Sequence, residues 1–180
     1  MIEIKEIIEG CKKHDRLSQE KLYRQFYPAL FALCRTFFKD EQDIITVLNN
    51  GMLRVFKSIE QFNPEKGTLF NWTYTIIRNS AITELRKIKD ESSNLVYTET
   101  LPDTFSENPF EEKDWEYIYL LLEKLPAMTR AVCSLYYLEG FLIKEIASQL
   151  ELKEGTVKWH LNESRNRLKH LLQSQIKEIE

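Results

Sequence analysis

The sequence predicts an all-α protein: two small helical domains joined by a flexible acidic linker, with a helix-turn-helix in the second. Three observations predict it. The 180 residues include only 5 Gly and 5 Pro, too few breakers for a many-turned β sandwich. Apolar residues recur at helical spacing on both sides of the middle of the chain. Between Asp90 and Phe110 that periodicity stops, and Ser, Thr, Asn, Asp and two prolines dominate, a linker composition rather than that of a packed core. The expected domains are residues 1–89 and 111–180, with the linker at 90–110.

In chain order, Ser18 is a candidate cap for a helix carrying Leu22, Phe26, Ala29, Leu30, Leu33 and Phe37 on one face, with Pro28 as an expected kink. A second helix is expected from Glu41 to Ile59, aligning Ile44, Leu48, Met52, Val55 and Ile59. The run Gln61-Phe62-Asn63-Pro64-Glu65-Lys66-Gly67 reads as a turn, after which Thr68 can cap a helix from Leu69 to about Lys89. Helices resume near Glu111. Leu125-Pro126 breaks them, with Pro opening the next helix over Met128–Leu138, and Glu139-Gly140 closes that one.

The C-terminal stretch carries the most specific pattern. Ile143, Ile146, Ala147 and Leu150 give a short helix one apolar face; Glu151 to Gly155 make a turn; Val157, Leu161, Leu168 and Leu171 line a longer helix. This is a helix-turn-helix pattern. Beside the second apolar stripe lie Lys158, Asn162, Arg165 and Lys169, a face suited to phosphates and base edges in a DNA major groove; the alternative is a solvated helix of mixed charge. Glu151 sits where such turns place a left-handed residue, at a cost of about 1–2 kcal/mol for a non-glycine.

In the first half, Leu69 to Lys89 carries Phe70, Trp72 and Tyr74 and then Arg78, Arg86, Lys87 and Lys89 on one helix. Rings that stack bases beside cations that hold the backbone suit single-stranded nucleic acid. Phe70 reads as core, whereas for Trp72 core packing and base stacking are both open. Asn63, Lys66 and Gly67 make a loop that can hold an extruded base.

Charge agrees once it is read locally. The net charge is −3, but Asp90 to Glu116 holds nine acidic residues and one lysine, which leaves the rest of the chain at +5. Cys11, Cys34 and Cys133 are scattered and do not cluster with His14, His160 or His170, so neither a metal site nor a disulfide framework is expected. No apolar run is long enough to span a bilayer, and the chain is charged from its third residue; no secretion signal is expected, and the expected location is the cytoplasm. No Gly-rich phosphate loop or nucleophile–base pairing points to an enzyme, and no cofactor is expected.

Taken together, Phe62–Gly67 through Trp72, Ile77-Arg78-Asn79-Ser80-Ala81-Ile82 and Leu85-Arg86-Lys87 resemble region 2 of extracytoplasmic-function sigma factors. Leu125-Pro126, Tyr137-Leu138-Glu139-Gly140, Glu145-Ile146-Ala147 and Gly155-Thr156-Val157-Lys158 resemble their region 4. The resemblance implies a dissociable subunit of bacterial RNA polymerase that binds the β′ clamp and the β flap of the core enzyme. It implies −10 contacts at Asn63, Lys66, Gly67, Trp72, Arg78, Asn79, Arg86 and Lys87. It implies −35 contacts at Thr156, Lys158, Trp159, His160, Asn162, Glu163, Arg165 and Arg167, and core-polymerase contacts at Asp43, Asn49, Asn50, Leu53 and Arg54. An anti-sigma factor is a further partner the resemblance allows, and the acidic linker would thread the polymerase cleft.

Several positions depart from the family pattern. Thr46, Asn49 and Asn50 stand where an acid, Gln and an acid are common; Trp159-His160 replaces Ser-Arg, and Glu163 replaces Arg. The resemblance therefore implies a weaker or differently distributed core contact and an unusual −35 sequence, since a glutamate can accept from cytosine N4. A stand-alone helix-turn-helix regulator explains Phe141–Leu172 but not the helix around Trp72; a helical interaction protein without a DNA role predicts no salt-dependent DNA binding. The linker makes one direct prediction: limited proteolysis cuts first between Asp90 and Phe110, and early cleavage inside either domain would contradict the boundary.

Overall fold

The computed structural model describes residues 4–92 and 114–177. Among them there are helices and no strands: α1 (Ile4–Lys12), α2 (Arg16–Arg35), α3 (Glu41–Ser58), α4 (Leu69–Ser92), α5 (Asp114–Glu123), α6 (Ala127–Tyr137), α7 (Ile143–Gln149) and α8 (Glu154–Lys177). Two 3₁₀ turns, Ile59–Gln61 and Pro64–Lys66, join α3 to α4. The greater part of the expected linker, 93–110, lies outside the described residues, as do 111–113; α4 itself runs past Lys89 to Ser92.

The chain divides into two compact units between Glu84 and Leu85. The division falls inside α4, ahead of the 89/90 boundary that composition suggests.

In the first unit, α2 is capped by Asp15 rather than Ser18. The Asp15 carboxylate accepts from the Ser18 backbone N–H at 2.9 Å and from the Ser18 hydroxyl at 2.6 Å, so Ser18 stands in the first turn, not at the cap. These hydrogen bonds hold the Asp15 carboxyl below its ordinary value. Pro28 lies inside α2 without ending it. Asp40 caps α3 through its carboxylate, which accepts from the N–H groups of Gln42 and Asp43. Leu22, Leu30, Phe37, Leu48, Met52, Ile59, Ile77 and Ile82 are fully buried and form the core by removing apolar surface from water. Phe26 of α2 meets Phe70 of α4 edge to face, with centroids 5.2 Å apart, so Phe70 is packing, as its place in the sequence suggests.

Gly51 lets α3 approach α4 closely. A Cβ built there would stand 2.5 Å from Ile77 Cδ1. Gly51→Val is therefore expected to cost about 1–3 kcal/mol by overpacking, seen as a lowered Tm in a thermal melt; an unchanged Tm would show that Ile77 simply turns aside.

In the second unit, Leu125, Leu135, Ile146, Leu150 and Val157 are buried. Gly140, at φ 72°, closes α6. Glu151 adopts φ 53° in the turn between α7 and α8, so the strained non-glycine position is real. Gly155 belongs to the first turn of α8 rather than to the preceding turn. Glu145 receives the Leu142 N–H on its carboxylate at 2.8 Å, which fixes the start of α7.

Candidate nucleic-acid interface

The loop before α4 is built from its own residues. The Asn63 side-chain oxygen accepts from the Glu65 N–H at 2.9 Å and so closes the Pro64–Lys66 turn. Gly67 follows at φ 144° and ψ −177°, and a Cβ there would meet nothing within 4 Å. The backbone conformation, not crowding, demands glycine. Lys66 is exposed. The Thr68 hydroxyl accepts from the Asn71 N–H at 3.2 Å and starts α4, as its position predicts. An open apolar hollow of about 950 Å³ borders this loop, lined by Ile4, Ile8, Phe26, Phe62, Leu69 and Phe70 together with Pro64, Glu65 and Gly67 of the loop itself.

Along α4, Trp72 is half-buried, its ring tilted on Phe62 with centroids 5.6 Å apart. One face of the indole thus serves packing while the residue keeps access to solvent. Asn79 is exposed two turns on, and Arg78 is half-buried beside it. Asn63, Lys66, Gly67, Trp72, Arg78 and Asn79 all belong to the first unit, whereas Arg86 and Lys87 fall beyond the division at Glu84.

The residues assigned to core contact lie on α3. Asp43, Asn49, Asn50, Leu53 and Arg54 are exposed, and Leu53 keeps 51% of its surface in water. Two of them also have partners within the chain. The Tyr23 hydroxyl donates to Asn49 Oδ1 at 2.8 Å, and Arg54 Nη1 donates to Ser80 Oγ at 3.4 Å. Tyr23 opens a ladder of rings on α2, Tyr23–Tyr27–Phe31, with successive centroids 5.5 and 5.4 Å apart. The four-residue spacing of those rings is a helical signal present in the sequence itself.

The helix-turn-helix is α7 and α8. Ile146, Ala147, Val157 and Leu161 are buried at their junction, and Ser164, fully buried, donates its hydroxyl to the Leu161 carbonyl. Lys158, Trp159, Asn162, Arg165 and Lys169 are exposed on the other side of α8. The remaining positions differ. Thr156 is half-buried. Glu163 and Arg167 are joined to each other, Arg167 Nε to Glu163 Oε1 at 2.6 Å, one helical turn apart. His160 turns away from the exposed face, its Nδ1 joined to Thr129 Oγ1 of α6 by a hydrogen bond of 3.0 Å. Burial pushes the imidazole below its ordinary pKa, against the opposing pull of the Glu163 carboxylate. The second unit also exposes large apolar side chains where α6 leads to α7: Tyr137, Leu138 and Leu142, with 50%, 39% and 67% of their surface in water.

Two family models match in this order: sigma-70 region 2 over residues 22–91 and sigma-70 region 4 over residues 115–168. The chain belongs to the sigma-70 family, in its extracytoplasmic-function group. It is 26% identical over 165 residues to the ECF RNA polymerase sigma factor SigE of Mycolicibacterium smegmatis, an alignment that covers 86% of this chain and 62% of the relative. It is 25% identical over 169 residues to ECF RNA polymerase sigma factor SigM of Mycobacterium tuberculosis, covering 93% of this chain and 83% of that one. Among solved structures it resembles the sigma factor RpoE of Bartonella quintana, crystallised with the anti-sigma factor NepR, with a TM-score of 0.50, 22% identity and coverage of 86% and 96% of the two chains; that likeness concerns the fold. Sigma factors as a family are transcription-initiation factors rather than enzymes. Among the described residues of this sigma factor, no helix is long and apolar enough to cross a membrane, and no cluster of His, Cys, Asp and Glu is arranged to hold a metal ion.

Proposed function

We propose that this sigma factor directs bacterial RNA polymerase core to promoters, using the second unit to hold duplex DNA at the −35 element and the first to open and hold the −10 strand. It carries no chemistry of its own and works in the cytoplasm, where core enzyme is. The observation that carries the reading is the ordered pair of region 2 and region 4 matches on one chain; a stand-alone regulator leaves α1–α4 without a role.

The physical logic follows the geometry. Exposed Lys158 and Arg165 on α8 suit phosphate and base edges, and Asn162 between them adds a donor and an acceptor. The loop Asn63–Gly67 stands next to an apolar hollow, and Trp72 presents a ring beside exposed Asn79, so that capture of unpaired bases offsets the cost of unstacking them. The exposed face of α3, with Asp43, Asn50 and Leu53, is assigned to the β′ clamp, and Tyr137, Leu138 and Leu142 offer an apolar surface to the β flap. The named relatives include a sigma factor held by an anti-sigma factor, and we extend that class of partner to this chain.

The test is association and run-off transcription with purified core RNA polymerase on a genomic template library. The chain is expected to co-purify with core and to start RNA at discrete sites. Operator binding without core, and no initiation with it, would favour the regulator.

A further inference from the structure

We propose that Trp159 sets base preference at the −35 element through apolar contact with a thymine 5-methyl group, held in place by a His160–Thr129 bracket; this rests on the assignment of α8 to the −35 groove. Val157, Leu161 and Ser164 form the buried seam of α8. At 3.6 residues per turn, Trp159 falls almost diametrically opposite that seam. It is a large, exposed side chain, with 59% of its surface in water.

Two of the neighbours on its face are small, and a third, Glu163, is paired with Arg167. Gly155, one turn earlier, has no side chain, and a Cβ there would meet nothing within 4 Å; Asn162 is short. The indole therefore stands clear of its own helix. It does not swing freely, because the His160 ring meets it edge to face with centroids 4.9 Å apart and 74° between planes. That ring is tied in turn to buried Thr129 on α6. His160 thus acts as a positioning residue between α6 and the indole rather than as a reader of bases.

The chemistry of the indole then narrows the target. It has one N–H donor and is otherwise apolar. The apolar group that base edges offer in the major groove is the thymine methyl.

The experiment uses holoenzyme assembled from core polymerase and the full chain. Binding selection from templates randomised at −35 gives the preferred sequence, and each selected thymine is then replaced by uracil, which lacks the methyl. At one position uracil is expected to weaken binding about fourfold, the worth of one buried methyl. W159F keeps that ratio and W159A brings it to one. H160A and T129V lower it at the same position, while T129S, which retains the hydroxyl, restores it; a merely structural role for Thr129 would move overall affinity but not the thymine-to-uracil ratio. If uracil costs nothing at any position, or W159A leaves the ratio intact, the inference is overturned. If H160A changes preference at a different base pair, His160 reads DNA directly and the bracket fails. A guanine preference at the Trp159 position, lost with 7-deazaguanine, would replace the methyl contact by an N–H contact and overturn it. Holoenzyme that initiates RNA but ignores the methyl sinks this inference alone; a chain that never assembles or initiates sinks the assignment of α8 with it.

Discussion

Alanine at both Lys158 and Arg165 is expected to lower −35 affinity by one to two orders of magnitude and to flatten its salt dependence. Both side chains are exposed on α8, away from the buried seam, so their removal leaves no cavity, and thermal stability is expected to stay nearly unchanged. Each lost phosphate contact reduces the slope of log K against log salt by about 0.9; a cation that instead grips a guanine contributes about 1–3 kcal/mol of base discrimination. Titrating a −35 duplex with holoenzyme at several salt concentrations separates the two. A slope reduced by about 1.8 assigns both residues to phosphates, and a relaxed base preference at an unchanged slope assigns them to bases. An unaltered footprint at all salt concentrations would remove α8 from the interface. Glu163 offers an internal contrast, because its carboxylate is already held by Arg167 at 2.6 Å, and turning to a cytosine would first break that pair.

The second large effect concerns strand opening. Trp72→Ala is expected to cut permanganate reactivity of −10 thymines about tenfold, in the range of one lost base stack, and Asn79→Ala about tenfold through lost hydrogen bonds to a base, while closed-complex affinity on duplex changes about twofold or less. Asn79 is exposed, so its variant tests the contact without disturbing the core. Trp72 also packs on Phe62; W72F therefore belongs beside W72A, since it keeps a ring against Phe62 and a face for a base. Equal opening by wild type and both alanine variants would return Trp72 to a purely structural role and move the melting site elsewhere.

The helical order and the helix-turn-helix were legible because their signals are local. Thr68 caps α4 three residues from its donor, and the spacing of Ile143, Ile146, Ala147 and Leu150 is itself the apolar face. A competing local signal misled at α2, where Asp15 and Ser18 are both good caps and only geometry shows that the aspartate accepts. The −10 and −35 assignments came from resemblance, which cannot say which way a side chain turns. His160 points toward Thr129, 31 residues distant in sequence, and Asn49 is held by Tyr23, 26 residues distant. No window along the chain displays such pairings; they exist only once helices are packed side by side.

The three cysteines have a practical consequence. Each is buried, Cys11 and Cys34 completely and Cys133 to within 4%, and loss of solvent raises every thiol, to about 11 for Cys11 and about 12 for Cys34. Thiolate is the form that reacts with maleimides and oxidants, so the native chain is expected to react slowly with both. A single cysteine engineered at an exposed site becomes the one place a dye or spin label attaches. One such label on α3 and another on α8 would turn the separation of the two units into a measurable distance, before and after core polymerase is added, with no need to strip the natural thiols first.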